Sequence, residues 1–214
     1  MAGPLPLFLL RTVLFPHMPM SLHVFEDRYQ QMMSDCLEAG TSFGVVAIRE
    51  GKEVAGEARP QKVGTLARIA HVERLDDGRM NLLVTGATRF RIIRQVEGKP
   101  YARAEIEYLA EGDEEAAQSQ RQILLRAFDR YLESLSRVAR SEADRPELPE
   151  EDEILAYLVA ATLETSLETR QQLLEAASPA ERMEMELRVL RREEDLLKRQ
   201  VMPATVVPGS FSAN

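Results

Sequence analysis

With 214 residues, 44% of them hydrophobic and 29% charged, the chain is long enough to bury a real core, and without tryptophan that core must be largely aliphatic. The formal charge of −8 is uneven: residues 1–104 carry 14 basic and 11 acidic side chains, residues 105–214 carry 13 and 24, so the second half repels a phosphate backbone. A single cysteine, Cys36, excludes an internal disulfide framework and a thiolate metal cluster built from one chain, and fits a reducing, cytoplasmic setting.

The opening MAGPLPLFLLRTVLFP is apolar, but Pro4, Pro6 and Arg11 interrupt it and no basic region precedes it, so no secretory signal is expected. No apolar stretch reaches the ~18–20 residues of a membrane span, and no membrane partner is expected. After Phe25, the residues Tyr29, Met32, Met33, Cys36 and Leu37 recur at helical spacing. Glu26 and Asp27 stand where the helix dipole favours acids, and Gly40 stands where the helix should stop. Cys36 falls on the apolar stripe of that helix, which reads as a buried thiol rather than a nucleophile.

FGVVAI (43–48) is a short β-branched run typical of a buried strand. KVGTLARIAHVERL alternates, Asp76-Asp77-Gly78 is a hairpin signal, and MNLLVTGATRFRIIRQV follows, with Gly86 as a bulge or a close approach. ARAEIEYL closes the first half as another alternating strand. Several short strands separated by turn residues predict a twisted sheet or small barrel with one helix packed on it.

The second half has a helical period. Ile123, Leu124, Ala127, Phe128, Tyr131, Leu132 and Leu135 form one stripe, and EILAYLVAATL is an apolar helix entered through acidic residues. Thr165 with Glu168, and Ser178 with Pro179 and Glu181, read as two helix starts. The fold class is therefore α+β: a β domain over 1–110, a bundle of four helices over 111–200, and a tail over 201–214.

The chemistry search is mostly negative. The nearest approach to a phosphate loop is Gly51-Lys52, followed by Glu53, and no G-x-G-x-x-G follows a strand. His17, His23 and His71 lack the spacing of metal ligands, and serines lack a nucleophile-elbow context. The acidic runs EGDEE and PEEDE read as helix-start complements rather than catalytic pairs. No catalytic residue, metal or cofactor is expected. Met32 and Met33 read as core, whereas Met18 and Met20, in a Pro-punctuated segment, are candidates for an adaptable apolar binding patch.

Leu5–Leu37, LPLFLLRTVLFPHMPMSLHVFEDRYQQMMSDCL, resembles the opening of the Lon protease N-terminal substrate-binding domain, whose pattern is close to L-P-L-F-P-L-x-x-V-L-F-P-G-x-x-L-P-L-x-I-F-E-P-R-Y. FGVVAI, VGTLARI, DDGRMNLLVTGATRFRI and YARAEIEYL follow in order and spacing, and ILAYLVAATLETSLETRQQLLEAASPAERMEMELRVL is similar to the family's helix pair. The resemblance covers about residues 4–200. It implies a PUA-like β domain with a helical bundle, and a role in binding unfolded or partner polypeptides, a protease among them. It does not imply cutting them, because neither the ATPase nor the protease module of Lon is recognisable here; the short stand-alone members of the family are the better likeness. Motif positions expected to be structural are Phe25, Glu26, Arg28, Tyr29, Gly64, Gly78, Gly86, Arg89 and Phe90, with Arg28 anchoring backbone or Glu26. Phe15, Pro16, His17, Met18, Met20 and His23 are the expected polypeptide-binding residues. Leu9, His17 and Asp27 replace the family's usual Pro, Gly and Pro. A histidine for that glycine means either that the backbone there need not adopt a positive φ or that the turn is reshaped.

Two other readings compete. RNA binding, by analogy with PUA-like folds, would need Arg68, Arg74, Arg79, Arg89, Arg91 and Arg94 to form a basic face. An enzyme with an unrecognised site has no residue pattern in its favour.

Overall fold

The computed structural model describes residues 3–51, 58–112, 118–139 and 146–201. Among them run seven strands and five helices: β1 (Leu5–Leu10), β2 (Pro19–Val24), α1 (Asp27–Ala39), β3 (Phe43–Glu50), β4 (Arg59–Pro60), β5 (Val63–Arg74), β6 (Met80–Gln95), β7 (Arg103–Tyr108), α2 (Gln118–Ala139), α3 (Asp152–Thr162), α4 (Leu167–Glu175) and α5 (Pro179–Val201). The expected tail lies outside the described residues from 202 onward.

Closure of the sheet depends on β1. It pairs parallel with β3, Leu7 opposite Gly44 and Leu10 opposite Ala47, and antiparallel with β7 through Leu5 and Pro6. The ring β1-β7-β6-β5-β3 therefore returns to its start as a small barrel, with β4 hanging on β3. Closure brings backbones close, and glycine permits it. A Cβ on Gly64 would stand 2.6 Å from Val45 O, and one on Gly44 would stand 2.5 Å from the Phe90 ring.

β6 is long enough to serve two neighbours on one edge. Met80–Thr85 pairs with β2, and Phe90–Gln95 pairs with β7. The change of partner falls at Gly86–Arg89, where Thr65 faces Arg89 and Ala67 faces Gly86, so β6 carries one extra residue. β5 carries its own extra residue at Ala70, between the Ile69–Val84 and His71–Leu83 pairs. Both are β-bulges, which bend the strand and free backbone groups. The hairpin joining β5 to β6 turns through Leu75–Arg79, with Gly78 at φ 87°.

α1 begins at Glu26, whose side chain accepts from Arg28 Nε at 2.9 Å, and ends on Gly40 at φ 62°. Tyr29, Met32, Met33 and Cys36 are its buried face, as their spacing predicts. They pack with Phe8, Phe43, Val45 and Met80 in the barrel core, and Phe8 stacks on Tyr29 at 4.1 Å between ring centres.

A second core joins barrel to bundle. Val13, Phe15, Ala47 and Val63 cluster with Leu124, Phe128, Leu155, Val159, Leu173 and Leu190. α2 and α5 form the main helix pair, and α3 and α4 fill the space beside them. The cap of α4 is Ser166, not the expected Thr165: its Oγ accepts from Thr169 N at 3.2 Å. Ser178 caps α5 through Glu181 N at 3.2 Å, while Glu181 reaches back to Ala177 N at 2.6 Å. Ile123, assigned to the apolar stripe of α2, is instead exposed.

Candidate functional site

The segment expected to bind is distributed between interior and surface. Phe15 is 1% exposed and offers no contact area to a partner in this conformation, which corrects its assignment to a surface patch; Pro16 is largely buried and reaches the surface only along a groove wall. Met18 is half-buried against the core shared with the bundle. Pro19–Val24 form β2, a strand that the Pro and His residues concealed in the sequence, with Pro19 at its first position where a missing N–H is tolerated. Along it Leu22 and Val24 point inward, while Ser21 and His23 are exposed.

β2 pairs with β6 and with no other strand among the described residues, so its second edge is open. Beside that edge lies a hollow of about 340 Å³ lined by Phe8, Leu10, Met20, Leu22, Phe25 and Tyr29, with Thr12, Ser21, His23 and Glu26 at its rim. Phe25, read from the motif as structural, is 56% exposed and stacks near His23 at 6.0 Å between ring centres. Tyr29 closes the inner end, its hydroxyl accepting from Leu9 N at 3.3 Å. His23 Nδ1 is 2.7 Å from Asn81 Oδ1, which orients the imidazole along the strand.

A larger groove of about 740 Å³ lies between barrel and bundle, with Pro16 and His17 on its wall. His17 keeps a positive φ of 63°, the one non-glycine residue to do so among the described residues. Of the two outcomes foreseen for a histidine in place of glycine, the relaxed backbone is therefore ruled out. His17 N donates to Gly86 O at 2.9 Å and Gly86 N to Met18 O at 3.0 Å, holding the turn against β6. A Cβ on Gly86 would overlap Phe15 O, so the close approach expected at this glycine is real. His17 Nε2 also faces Glu153 Oε1 of α3 at 3.5 Å.

Under this groove is a buried polar junction that the sequence did not disclose. Arg89 leaves β6 at the bulge and enters the bundle. Its Nη1 donates to Leu174 O at 2.8 Å and Ala176 O at 2.6 Å, and its Nε pairs with Glu111 Oε1 at 2.6 Å. Arg182 of α5 comes from the other side. It donates from Nε to Leu173 O at 2.9 Å, pairs through Nη2 with Glu111 Oε2 at 3.3 Å, and lies 3.9 Å over the Tyr157 ring. The Tyr157 hydroxyl donates to Glu111, and burial pushes its pKa upward. The carbonyls at the end of α4 are thus satisfied by two guanidiniums from different parts of the chain. Two arginines on one carboxylate within a helix-end cluster describe a structural joint, not an acid–base pair.

The proposed basic face does not assemble. Arg89 is 3% exposed, Arg79 pairs with Asp77 at 2.7 Å, Arg91 with Glu107 at 3.4 Å, and Arg94 with Glu105. Only Arg68 and Arg74 are left of the six, too few for a phosphate-tracking surface. Cys36 is buried with its thiol pKa raised by burial. Among the described residues no cluster of three or more His, Cys, Asp or Glu converges, and no helix is long and apolar enough to cross a membrane.

This arrangement of barrel, edge strand and bundle has close counterparts. A family model described as the ATP-dependent protease La (LON) substrate-binding domain matches residues 4–192. The Lon protease of Anaeromyxobacter dehalogenans is 27% identical over 213 residues, 97% of this chain and 25% of that protein. Lon protease 2 of Herpetosiphon aurantiacus is 30% identical over 194 residues, 89% of this chain and 24% of its own length. The chain thus spans about a quarter of the length of the curated relatives it matches. The crystal structure of a Lon N-terminal domain protein from Xanthomonas campestris superposes with a TM-score of 0.66 at 26% identity, covering 87% of this chain and 98% of that one. The N-terminal domain of the Mycobacterium avium complex Lon protease shares the fold, with a TM-score of 0.62 at 20% identity. With the family model, the relatives and the fold in agreement over nearly the same residues, the chain belongs to the Lon substrate-binding domain family.

Proposed function

We propose that the chain is a non-catalytic polypeptide-binding module, a substrate selector or adaptor that holds extended, apolar segments of unfolded or partner proteins. The observation that carries this reading is the open edge of β2 beside an apolar hollow. An edge strand offers main-chain donors and acceptors to any extended chain regardless of its sequence, and the adjoining hollow rewards apolar side chains at alternate positions. Phe25 and Met20 supply soft, accessible contact area, and a thioether adapts to varied partners. In this reading the barrel of 1–110 does the recognising, the bundle of 111–200 braces it, and a reducing cytoplasm keeps Cys36 a thiol.

The test is a binding titration of the intact chain with a reduced, carboxymethylated protein that cannot fold. The parent is expected to bind it, and Met20→Glu/Phe25→Glu to lose at least tenfold in affinity while keeping its circular dichroism spectrum. Absence of binding by the parent, or equal binding by the double variant, overturns the reading or its placement on β2.

A further inference from the structure

We propose that the groove between barrel and bundle is a second recognition site, which takes an extended peptide and holds one of its acidic side chains on Arg68. The inference rests on the polypeptide-binding reading and adds a chemical preference to it.

Charge is the first argument. Of the charged residues lining the groove, Arg89 and Glu111 are paired with each other, and Glu153 faces His17. Arg68 is exposed and has no ion-pair or hydrogen-bond partner among the described residues. The barrel wall therefore presents one uncommitted guanidinium, a group shaped to grip a carboxylate with two parallel hydrogen bonds. The groove's two acids, Glu111 and Glu153, are already paired, with Arg89 and His17, so an added carboxylate is favoured at Arg68.

Backbone is the second argument. Arg68 stands opposite Thr85, and a bulge lies on each side of that pair, at Ala70 of β5 and at Ala87-Thr88 of β6. All of these residues line the groove. A bulge leaves a residue out of the ladder, so its peptide groups are available to a ligand's main chain. The left-handed conformation of His17 sits on the same wall. Departures from regular backbone gather where a chain is shaped for something other than its own pairing. At about 740 Å³ the groove is within the range of ~300–1,000 Å³ common to ligand clefts. A nucleic acid fits less well, since one uncommitted cation among the described residues lining the groove, in a chain of net charge −8, gives little phosphate affinity.

The experiment uses the intact chain and two acetylated, amidated peptides of alternating Ala and Val that differ in one central residue, Glu or Gln, each carrying a neutral fluorophore. The Glu peptide is expected to bind about tenfold more tightly, and Arg68→Gln to bring the ratio to about one without shifting the melting temperature. Met20→Glu/Phe25→Glu, which weakens both peptides at the other hollow, should keep the preference for Glu over Gln and its loss with Arg68→Gln. Equal affinities in the parent, or a preference that survives Arg68→Gln, overturns the proposal. Tighter binding of a single-stranded RNA that displaces the Glu peptide overturns it in favour of nucleic acid. If the carboxymethylated client still binds while Glu and Gln are not distinguished, this inference alone falls; if neither client nor peptide binds, the underlying reading falls with it.

Discussion

Arg89 and Glu111 form an ion pair of 2.6 Å across the junction of barrel and bundle, and the same guanidinium closes the end of α4 through Leu174 and Ala176. The side chain of Arg89 is 2% exposed; without it Leu174 O loses its guanidinium donor, and Glu111 and Ala176 O are left to Arg182 and Tyr157 alone. Arg89→Ala is therefore expected to lower the unfolding free energy by about 3–5 kcal/mol, the usual cost of breaking a buried pair from one side. Arg89→Lys should recover little, because an ammonium cannot span two carbonyls and a carboxylate as a planar fork does. Urea unfolding of the intact chain decides it: a loss under 1 kcal/mol for Arg89→Ala would make the junction incidental.

The turn at residues 15–18 makes opposite demands on two neighbouring positions. Gly86 has no room for a Cβ, because Phe15 O occupies the space, and Gly86→Ala should destabilise by about 1–3 kcal/mol through forced backbone movement. His17 has a side chain where the backbone is left-handed, a conformation that costs a non-glycine residue roughly 1–2 kcal/mol. His17→Gly is expected to leave the melting temperature unchanged or raise it, despite the lost contact with Glu153. His17→Val should lower it, since a β-branched side chain tolerates this region worst. Thermal melts of the three variants would show the pattern, and His17→Gly melting well below the parent would contradict it.

Glu186 is fully buried on α5, and burial raises its carboxyl pKa well above the ordinary 4.5 against the opposing pull of Arg182. The unfolded chain releases this proton near the ordinary value while the folded chain retains it. The folded state then binds more protons, so stability falls as pH rises above that value and levels off once the folded carboxyl ionises. Glu186→Gln removes the titration. Its unfolding free energy relative to the parent should improve steadily from pH 4 to pH 7, read from urea unfolding at each pH. A constant difference across that range would show that Glu186 ionises equally in both states.

Cys36 is 1% exposed, and burial raises its thiol pKa. Both effects suppress the thiolate that reacts. Labelling by a disulfide reagent at pH 8 should be slower in the native chain than in urea by a factor of roughly 100 or more, limited by transient opening of α1. Comparable rates in the two states would place the thiol at the surface.

Periodicity revealed the helices well because each buries a continuous face. Tyr29, Met32, Met33 and Cys36 mark α1, and the acidic residue and the glycine at its ends mark its limits. β2 was harder to see. Its inward residues Leu22 and Val24 alternate properly, but Pro19, Met20 and His23 give it the composition of a loop, and only pairing with β6 makes it a strand. The cap of α4 shifted from Thr165 to Ser166 because both residues can accept an amide hydrogen bond and only the helix geometry chooses between them. The surface expected around Phe15 and Pro16 failed for a similar reason. Their apolar character called for burial or binding, and the second core supplied burial.

The sequence by itself determined the α+β division, the extent of α1, the hairpin at Gly78 and the family, since all of these depend on local period, turn chemistry or an ordered set of motifs. It also marked Gly86 as a position of close approach, because a glycine inside an alternating strand has few other uses. Tertiary structure alone decided that Arg89 is a buried joint rather than part of a basic face, that β2 keeps an open edge, and that Arg68 is the uncommitted cation of the groove. Each of these is a relation between residues distant in the chain. Arg89 meets carbonyls 85 and 87 residues away, and the partners that neutralise Arg91 and Arg94 come from another strand. A side chain's charge is written in the sequence, but its exposure and its partner are set by closure of the barrel and docking of the bundle.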